Sequence, residues 1–303
     1  MTRSLDTIRI AQLSDTHFLE PGRAPEGGFA YDTSAAFDAV LADLESQPPF
    51  DLVVVTGDIA DHGEPAQYLA AADAFDQITA PVHVCPGNHD QDVAFHGSLD
   101  RPRIGTERVI EQGNWCFLFV DSNSGIMHLD ASGRLVDPDD YGDRLHANGS
   151  LGAQERAWIQ QMCATTDAEH VFIWIHHPPG VVVGMSRDDS YEADWRELIV
   201  QLPNVRGLGA GHTHVPAHYD FEGRTVYVCS AFKNNFDLDA ETMLPPGYRS
   251  YAFHADGAVE SQVHNVDDPQ WPRSPLGRAV VSLMRGELSW DDFDAIVARK
   301  RVS

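Results

Sequence analysis

Leu52-Val53-Val54-Val55-Thr56-Gly57-Asp58 is the stretch on which the reading of this chain turns. Its four leading residues are apolar and mostly β-branched, which suits a strand buried on both faces. Gly57 lets the backbone turn sharply, and Asp58 follows where the strand gives way to a loop. The flanking sequence repeats the plan. Ile8-Arg9-Ile10-Ala11-Gln12-Leu13 reads as a strand running into Asp15-Thr16-His17, and Val82-His83-Val84-Cys85 as another running into Gly87-Asn88-His89-Asp90. Between them, Phe37, Val40, Leu41 and Leu44 recur at helical spacing, so residues 32–46 read as a helix. Residues 64–78 read as a second, with Pro65 in its first turn. Strand, helix, strand, helix, strand implies parallel pairing with right-handed crossovers, the α/β class.

Further strands are expected at 115–120, 171–175, 205–208, 225–229, 250–253 and 259–263, with helices at 153–165 and 192–202. Residues 122–150, rich in Gly, Asp and Ser, read as a surface loop or one that covers substrate. After about residue 267 the character changes. Pro269, Pro272 and Pro275 punctuate the chain, and 276–284 and 289–300 read as two short helices, the second capped by Ser289. The division is therefore a main domain at 1–266 and a helical tail at 267–303. The tail either packs on its own domain or serves as a dimerisation arm, making a homodimer through the tail the sharper expectation.

With 303 residues and a hydrophobic fraction of 43%, the chain has material for one large globular core. Its apolar runs are too short to span a bilayer, and residues 1–6 lead into the first strand without a signal-peptide core, so a cytoplasmic location is expected. The formal charge of −25 disfavours a nucleic acid polymer as partner, because phosphate backbones call for a basic surface. A small anionic substrate stays compatible, since bound metal ions reverse the field locally. Cys85, Cys116, Cys163 and Cys229 are isolated and read as core residues rather than a zinc knot or disulfide scaffold.

Two later clusters complete the pattern of polar residues at strand ends: His176-His177 and Gly211-His212-Thr213-His214. Singly, each has a bland reading, Asp-x-His as a surface pair and Gly-Asp as a tight turn. Together they gather aspartates, histidines and an asparagine at the carboxyl edge of an α/β sheet, where such folds place their sites. Carboxylate, imidazole and amide oxygen suit two transition metal ions of the Fe, Mn, Zn or Co type. Two ions about 4 Å apart need a bridging carboxylate, for which Asp58 is the candidate. His89 is placed to protonate a leaving alkoxide, with Asp90 orienting its ring. Asn88 lies where ligand and substrate meet. His177 contacts substrate or is structural, and Lys233 binds a second anionic group or stands in solvent.

The ordered series Asp15-x-His17, Gly57-Asp58, Gly87-Asn88-His89-Asp90, His176 and Gly211-His212-x-His214 resembles the calcineurin-like metallophosphoesterase superfamily, over residues 8 to about 265. The resemblance implies a four-layer sandwich of two mixed β-sheets flanked by helices. It also implies that Asp15, His17, Asp58 and His214 hold one metal, and Asp58, Asn88, His176 and His212 the other. Ser14-Asp15-Thr16-His17, the run from Thr56 to Glu64, and the later Phe232-Lys233, Phe236-Asp237-Leu238-Asp239 and Pro246-Gly247-Tyr248-Arg249 look like the class III cyclic nucleotide phosphodiesterases. The implied activity is hydrolysis of a 3′,5′-cyclic nucleotide by metal-bound hydroxide. The alternatives are a glycerophosphodiesterase, a phosphomonoesterase, or a catalytically weak metal-binding sensor or scaffold. Cys229-Ser230-Ala231 departs from the Ser/Thr-Pro step of many members, on the side where substrate is expected.

Overall fold

The computed structural model describes residues 7–23, 31–90, 92–99, 101–124, 149–180, 189–267, 271, 277–289, 292, 293, 295 and 296. In chain order the elements are β1 (Thr7–Leu13), α1 (Thr33–Ser46), β2 (Leu52–Thr56), α2 (Pro65–Phe75), β3 (Val82–Cys85), α3 (Asp92–Ser98), β4 (Ile104–Gly105), β5 (Val109–Gln112) and β6 (Trp115–Phe119). Then follow α4 (Ala153–Thr165), β7 (His170–Trp174), α5 (Asp189–Ile199), β8 (Val205–Ala210), β9 (Ala217–Phe221), β10 (Arg224–Val228), β11 (Asn235–Asp237), β12 (Thr242–Leu244), β13 (Gly247–His254), β14 (Val259–Asn265) and α6 (Gly277–Met284).

The strands form two mixed sheets, ordered β14-β13-β1-β2-β3-β4 and β5-β6-β7-β8-β10-β9, with β11 and β12 as a separate hairpin. Strands β1, β2, β3 and β4 pair in parallel, as do β6, β7, β8 and β10, while the outer pairings β1–β13, β13–β14, β5–β6 and β10–β9 are antiparallel. Alternate side chains explain the layering. Leu52 and Val54, with Phe253 of the same sheet, face Phe117 and Trp174 of the second sheet, whereas Val53 and Val55 face Phe37 and Val40 of α1 and Tyr68 and Phe75 of α2. On the far side, Leu118 and Ile173 pack against Ile159 of α4 and Trp195 of α5. The result is four layers, helix, sheet, sheet and helix, which is why the strands read as unbroken apolar runs.

Buried polar bonds lock the sheets together. The Gln12 amide, fully buried on β1, donates to Thr56 Oγ1 at 2.7 Å and to the Ala210 carbonyl at 2.9 Å, and accepts from Tyr251 OH at 2.6 Å. Arg249 of β13, also buried, donates to the carbonyls of Val228 (2.9 Å) and Ala217 (2.8 Å) in the other sheet.

Helix ends follow local chemistry. Asp32 caps α1 by accepting from the amides of Ser34 and Ala35. Glu64 and Gln67 form a capping box ahead of Pro65 in α2. Helix α5 starts and ends three residues earlier than expected, at Asp189 and Ile199. The sequence reading missed α3, β4, β5, β9 and the β11–β12 hairpin, which are short or polar on both faces. Residues 125–148 of the expected loop at 122–150 lie outside the described residues, as does most of the expected helix at 289–300.

The tail packs on its own domain. Trp271, Val280 and Phe293 belong to the same apolar cluster as α1 and α2, and the Trp271 ring lies 5.6 Å from that of Tyr31. Among the described tail residues Trp271, Val280, Val281 and Phe293 are buried by the chain itself, while Leu283, Leu288 and Ile296 stay half-buried. No helix among the described residues is long and apolar enough to cross a membrane.

Gln12→Leu would leave the Thr56 hydroxyl, the Tyr251 hydroxyl and the Ala210 carbonyl without this partner. A loss of about 3 kcal/mol in urea unfolding is expected, and an unchanged midpoint would contradict the locking role.

Candidate metal centre

Parallel pairing puts the carboxyl ends of β1, β2 and β3 side by side, and those of β7 and β8 likewise. The five polar clusters leave from these ends and meet between the sheets. Asp58 Oδ2 lies 3.6 Å from His17 Nε2 and 3.3 Å from His176 Nε2. Asp15 Oδ1 is 3.2 Å from His214 Nε2, and Asn88 Oδ1 is 3.0 Å from His176 Nε2. The rings of His176 and His212 are 5.1 Å apart. All seven side chains singled out as ligands thus converge. One group is Asp15, His17 and His214; His176 and His212 stand on the other side together with His177, and Asp58 lies between His17 and His176.

The backbone is strained where these residues sit. Seven non-glycine residues among those described have positive φ, and five of them are Asp15 (52°), His17 (42°), Asp58 (50°), His212 (70°) and His214 (54°). A left-handed conformation costs an ordinary residue about 1–2 kcal/mol, and such strain gathers at functional sites. Cross-loop bonds hold it: Asp15 N donates to Gly57 O, His17 N to Asp58 O, and His212 N to the Asp15 carboxylate. Gly57, at φ 82°, has no room for a side chain, since a Cβ there would lie 2.6 Å from His176 Nδ1.

Neighbours fix which imidazole nitrogen faces inward. His176 Nδ1 donates to the Thr56 carbonyl at 2.8 Å, His214 Nδ1 to Asn234 Oδ1, and His17 Nδ1 lies 2.9 Å from Asp61 Oδ1. This leaves the Nε2 atoms aimed at Asp15 and Asp58. Both ring nitrogens of His17 are buried without a partner in hydrogen-bond geometry, Nδ1 having only the nearby Asp61 carboxylate, and for Nε2 this costs free energy unless another ligand takes the lone pair. Burial holds His17 down to about 4 and His212 to about 3, so both are neutral donors at neutral pH. Burial also opposes charge on Asp15 and Asp58, yet His214 beside the first and His176 beside the second hold both carboxyls below the usual range. Imidazoles, two carboxylates and an amide oxygen fit borderline transition ions.

One expectation is corrected, and the surroundings of Lys233 and His177 are defined. Asp90 does not orient His89. Its carboxylate accepts from the amides of Ile59 (3.2 Å), Ala60 (3.2 Å) and Gly87 (2.9 Å) and from Tyr68 OH (3.0 Å), tying two site loops together. His89 is instead oriented through Nδ1, which donates to the Asp61 carbonyl at 2.7 Å, and its ring keeps 22% exposure. Lys233 is half-buried, with 22% of its side chain exposed, and its ammonium pairs with the Asp61 carboxylate. His177 is buried, with Nδ1 2.8 Å from Ser122 Oγ and its ring 4.3 Å from that of His212, and it stands with His176 and His212 in one group of side chains close enough to share an ion. Sequence reasoning missed Asp61 and Asn234. Asp61 shared a motif with Asp58, but nothing local marks Asn234.

The family profile described as calcineurin-like phosphoesterase matches residues 8–216. The chain belongs to the calcineurin-like phosphoesterase family. It is 28% identical, over 87% of its length and 92% of the relative's, to the 3′,5′-cyclic adenosine monophosphate phosphodiesterase CpdA of Escherichia coli K12. A probable cyclic nucleotide phosphodiesterase of Synechococcus is also 28% identical, over 86% of this chain and 93% of the relative. Among solved structures, a dimetal phosphatase from Danio rerio superposes with a TM-score of 0.54 at 17% identity, over 86% of this chain and 100% of its own. The yellow lupin purple acid phosphatase PPD1 gives 0.56 at 13% identity, over 87% of this chain and 52% of its own. At these identities the likeness is one of fold. This phosphoesterase therefore combines the family's architecture with a converged set of histidine and aspartate side chains.

Burial opposes a proton on His176, but Asp58 and Asp15 outweigh it and raise the group to about 9. A metal ion binding there has to displace that proton. Mn²⁺ affinity should rise with pH up to about 9 and fall on acidification, with protons released on binding. Calorimetric titrations in buffers of different ionisation heat check this, and pH-independent binding without proton release would contradict it.

Proposed function

We propose that this protein is a dinuclear metal-dependent phosphodiesterase whose substrate is a 3′,5′-cyclic nucleotide. The observation that carries the dinuclear reading is the place of Asp58, whose one carboxylate oxygen faces His17 on one side and His176 on the other. Asp15, His17, Asp58 and His214 would hold one ion, and Asp58, Asn88, His176 and His212 the second. When bound, such ions make hydroxide available near neutral pH and neutralise charge building on the phosphoryl oxygens.

The chain's own residues supply the remainder. Water adds to phosphorus as one P–O ester bond of the ring breaks, and the departing alkoxide takes up a proton, giving a nucleoside monophosphate. His89 is the donor. Its Nδ1 is engaged by the Asp61 carbonyl, which leaves Nε2, on a partly exposed ring, as the atom that delivers the proton or holds the developing charge. Asp90 is a positioning residue that fixes the loops carrying Asp58 and His89. The cyclic nucleotide assignment is supported by the relatives at 28% identity over nearly the whole chain. The departure at Cys229-Ser230-Ala231 weighs little against it, because all three residues are buried and Cys229 Sγ points to the Gln12 carbonyl.

Hydrolysis of cyclic AMP and of bis(p-nitrophenyl) phosphate with added Mn²⁺ should exceed that of p-nitrophenyl phosphate. Cleavage of the monoester alone would favour a phosphomonoesterase, and turnover of none of them would leave a metal-binding scaffold. His89→Ala should lower kcat by ~10²–10⁴ with metal content unchanged, and a rate near that of the parent protein would remove His89 from the chemistry.

A further inference from the structure

The segment from Phe232 to Phe236 crosses the metal centre on one side only. Phe232 N donates to the Asp15 carbonyl at 3.2 Å, and Phe236 N to the His214 carbonyl at 2.8 Å. Between these anchors, two adjacent side chains reach toward two different imidazoles. Asn234 Oδ1 accepts from His214 Nδ1. Lys233 Nζ pairs with the Asp61 carboxylate, whose Oδ1 lies 2.9 Å from His17 Nδ1. The Lys233 carbonyl in turn accepts from Tyr31 N at 2.7 Å, and the buried Asn235 amide donates to the Pro245 carbonyl at 3.0 Å, so the segment is fixed from both sides. Asp15, His17 and His214 are the three residues of one candidate ligand group.

The other group is held by different means. His176 is oriented by the Thr56 carbonyl, and the ring of His212 packs against His176 and His177. No hydrogen bond or ion pair among the described residues joins Lys233 or Asn234 to His176, His212 or Asn88. From this asymmetry we infer that Lys233 and Asn234 are positioning residues for one metal subsite, that of Asp15, His17 and His214, and leave the second subsite to its own supports. The inference rests on the dinuclear reading above. The physical ground is that a group bonded to the outer nitrogen of an imidazole sets its tautomer, ring angle and donor strength, and removing it weakens metal binding about 10–100-fold. Lys233 acts at one remove, by keeping the Asp61 carboxylate compensated and aimed at His17.

The test counts ions rather than turnover. Full-length protein, Lys233→Met and Asn234→Ala are equilibrated with Mn²⁺ buffered over a range of free concentrations, and bound Mn²⁺ per chain is measured. The parent protein should bind two. Each variant should show one binding step weakened ~10-fold or more, with the other step close to its parental value. Lys233→Arg and Asn234→Asp, which retain the cation and the acceptor oxygen, should restore the weakened step. Unchanged binding in both truncating variants would overturn the inference. So would equal weakening of both steps accompanied by a lower unfolding midpoint without Mn²⁺, the mark of a general structural role. A parent protein that binds fewer than two ions would instead overturn the dinuclear reading itself, a result distinct from either of these.

Discussion

Two carboxylates, Asp15 and Asp58, sit almost wholly out of solvent within one cluster of imidazoles, and the rest of the site is arranged around that fact. Buried charge is costly unless paired and hydrogen-bonded. Here the partners come from distant parts of the chain. Asp58 takes the amide of His89 and faces the rings of His17 and His176, while Asp15 takes the amide of His212 and faces His214. No short peptide can assemble this set. The site therefore exists only when both sheets are in register, and the left-handed conformations at five of its residues are tolerated because so many cross-loop bonds determine them.

The sheets meet that demand with bonds of their own. Gln12 lies two residues before Ser14 on the strand that delivers Asp15 and His17, and its amide reaches the end of β8, from which His212 departs. Arg249 fastens the antiparallel flank of the first sheet to β10 and β9. These polar ties share the interior with an aromatic layer in which Trp115, Phe117, Phe172, Trp174 and Phe253 pack edge to face, stacked or tilted. Apolar burial gives the sandwich most of its stability, and the directional bonds specify how one sheet lies on the other. The chain's −25 charge fits the same picture: acidic groups cover the surface, while the centre gathers the histidines.

The sequence made the strands around the site legible because each is a short apolar run ended by a polar cluster, as at Val82-His83-Val84-Cys85 before Gly87. Element ends were less so. Helix α5 begins at Asp189, ahead of its first apolar repeat, and β9 carries Ala-His-Tyr-Asp-Phe, only five residues whose apolar face is Ala217, Tyr219 and Phe221. Among site residues, the motif placed Asp90 next to His89 in sequence, yet the carboxylate accepts from two amides of the loop after β2 and from that of Gly87 after β3. The charge of Lys233 has a partner that the local sequence hides, Asp61, which lies 172 positions away.

By itself the sequence determined the fold class, the order of the strands that build the site and the side chains that converge there, because period, run length and strand-end chemistry are local properties of the chain. The tertiary structure alone decided which partner each of those side chains takes. It set Asp58 between two imidazoles, turned Asp90 to the backbone, paired Lys233 with Asp61, and laid Asn234 against His214. Such choices depend on which distant segment closes over a given side chain, and on the cost of leaving a buried polar atom unpaired once it does.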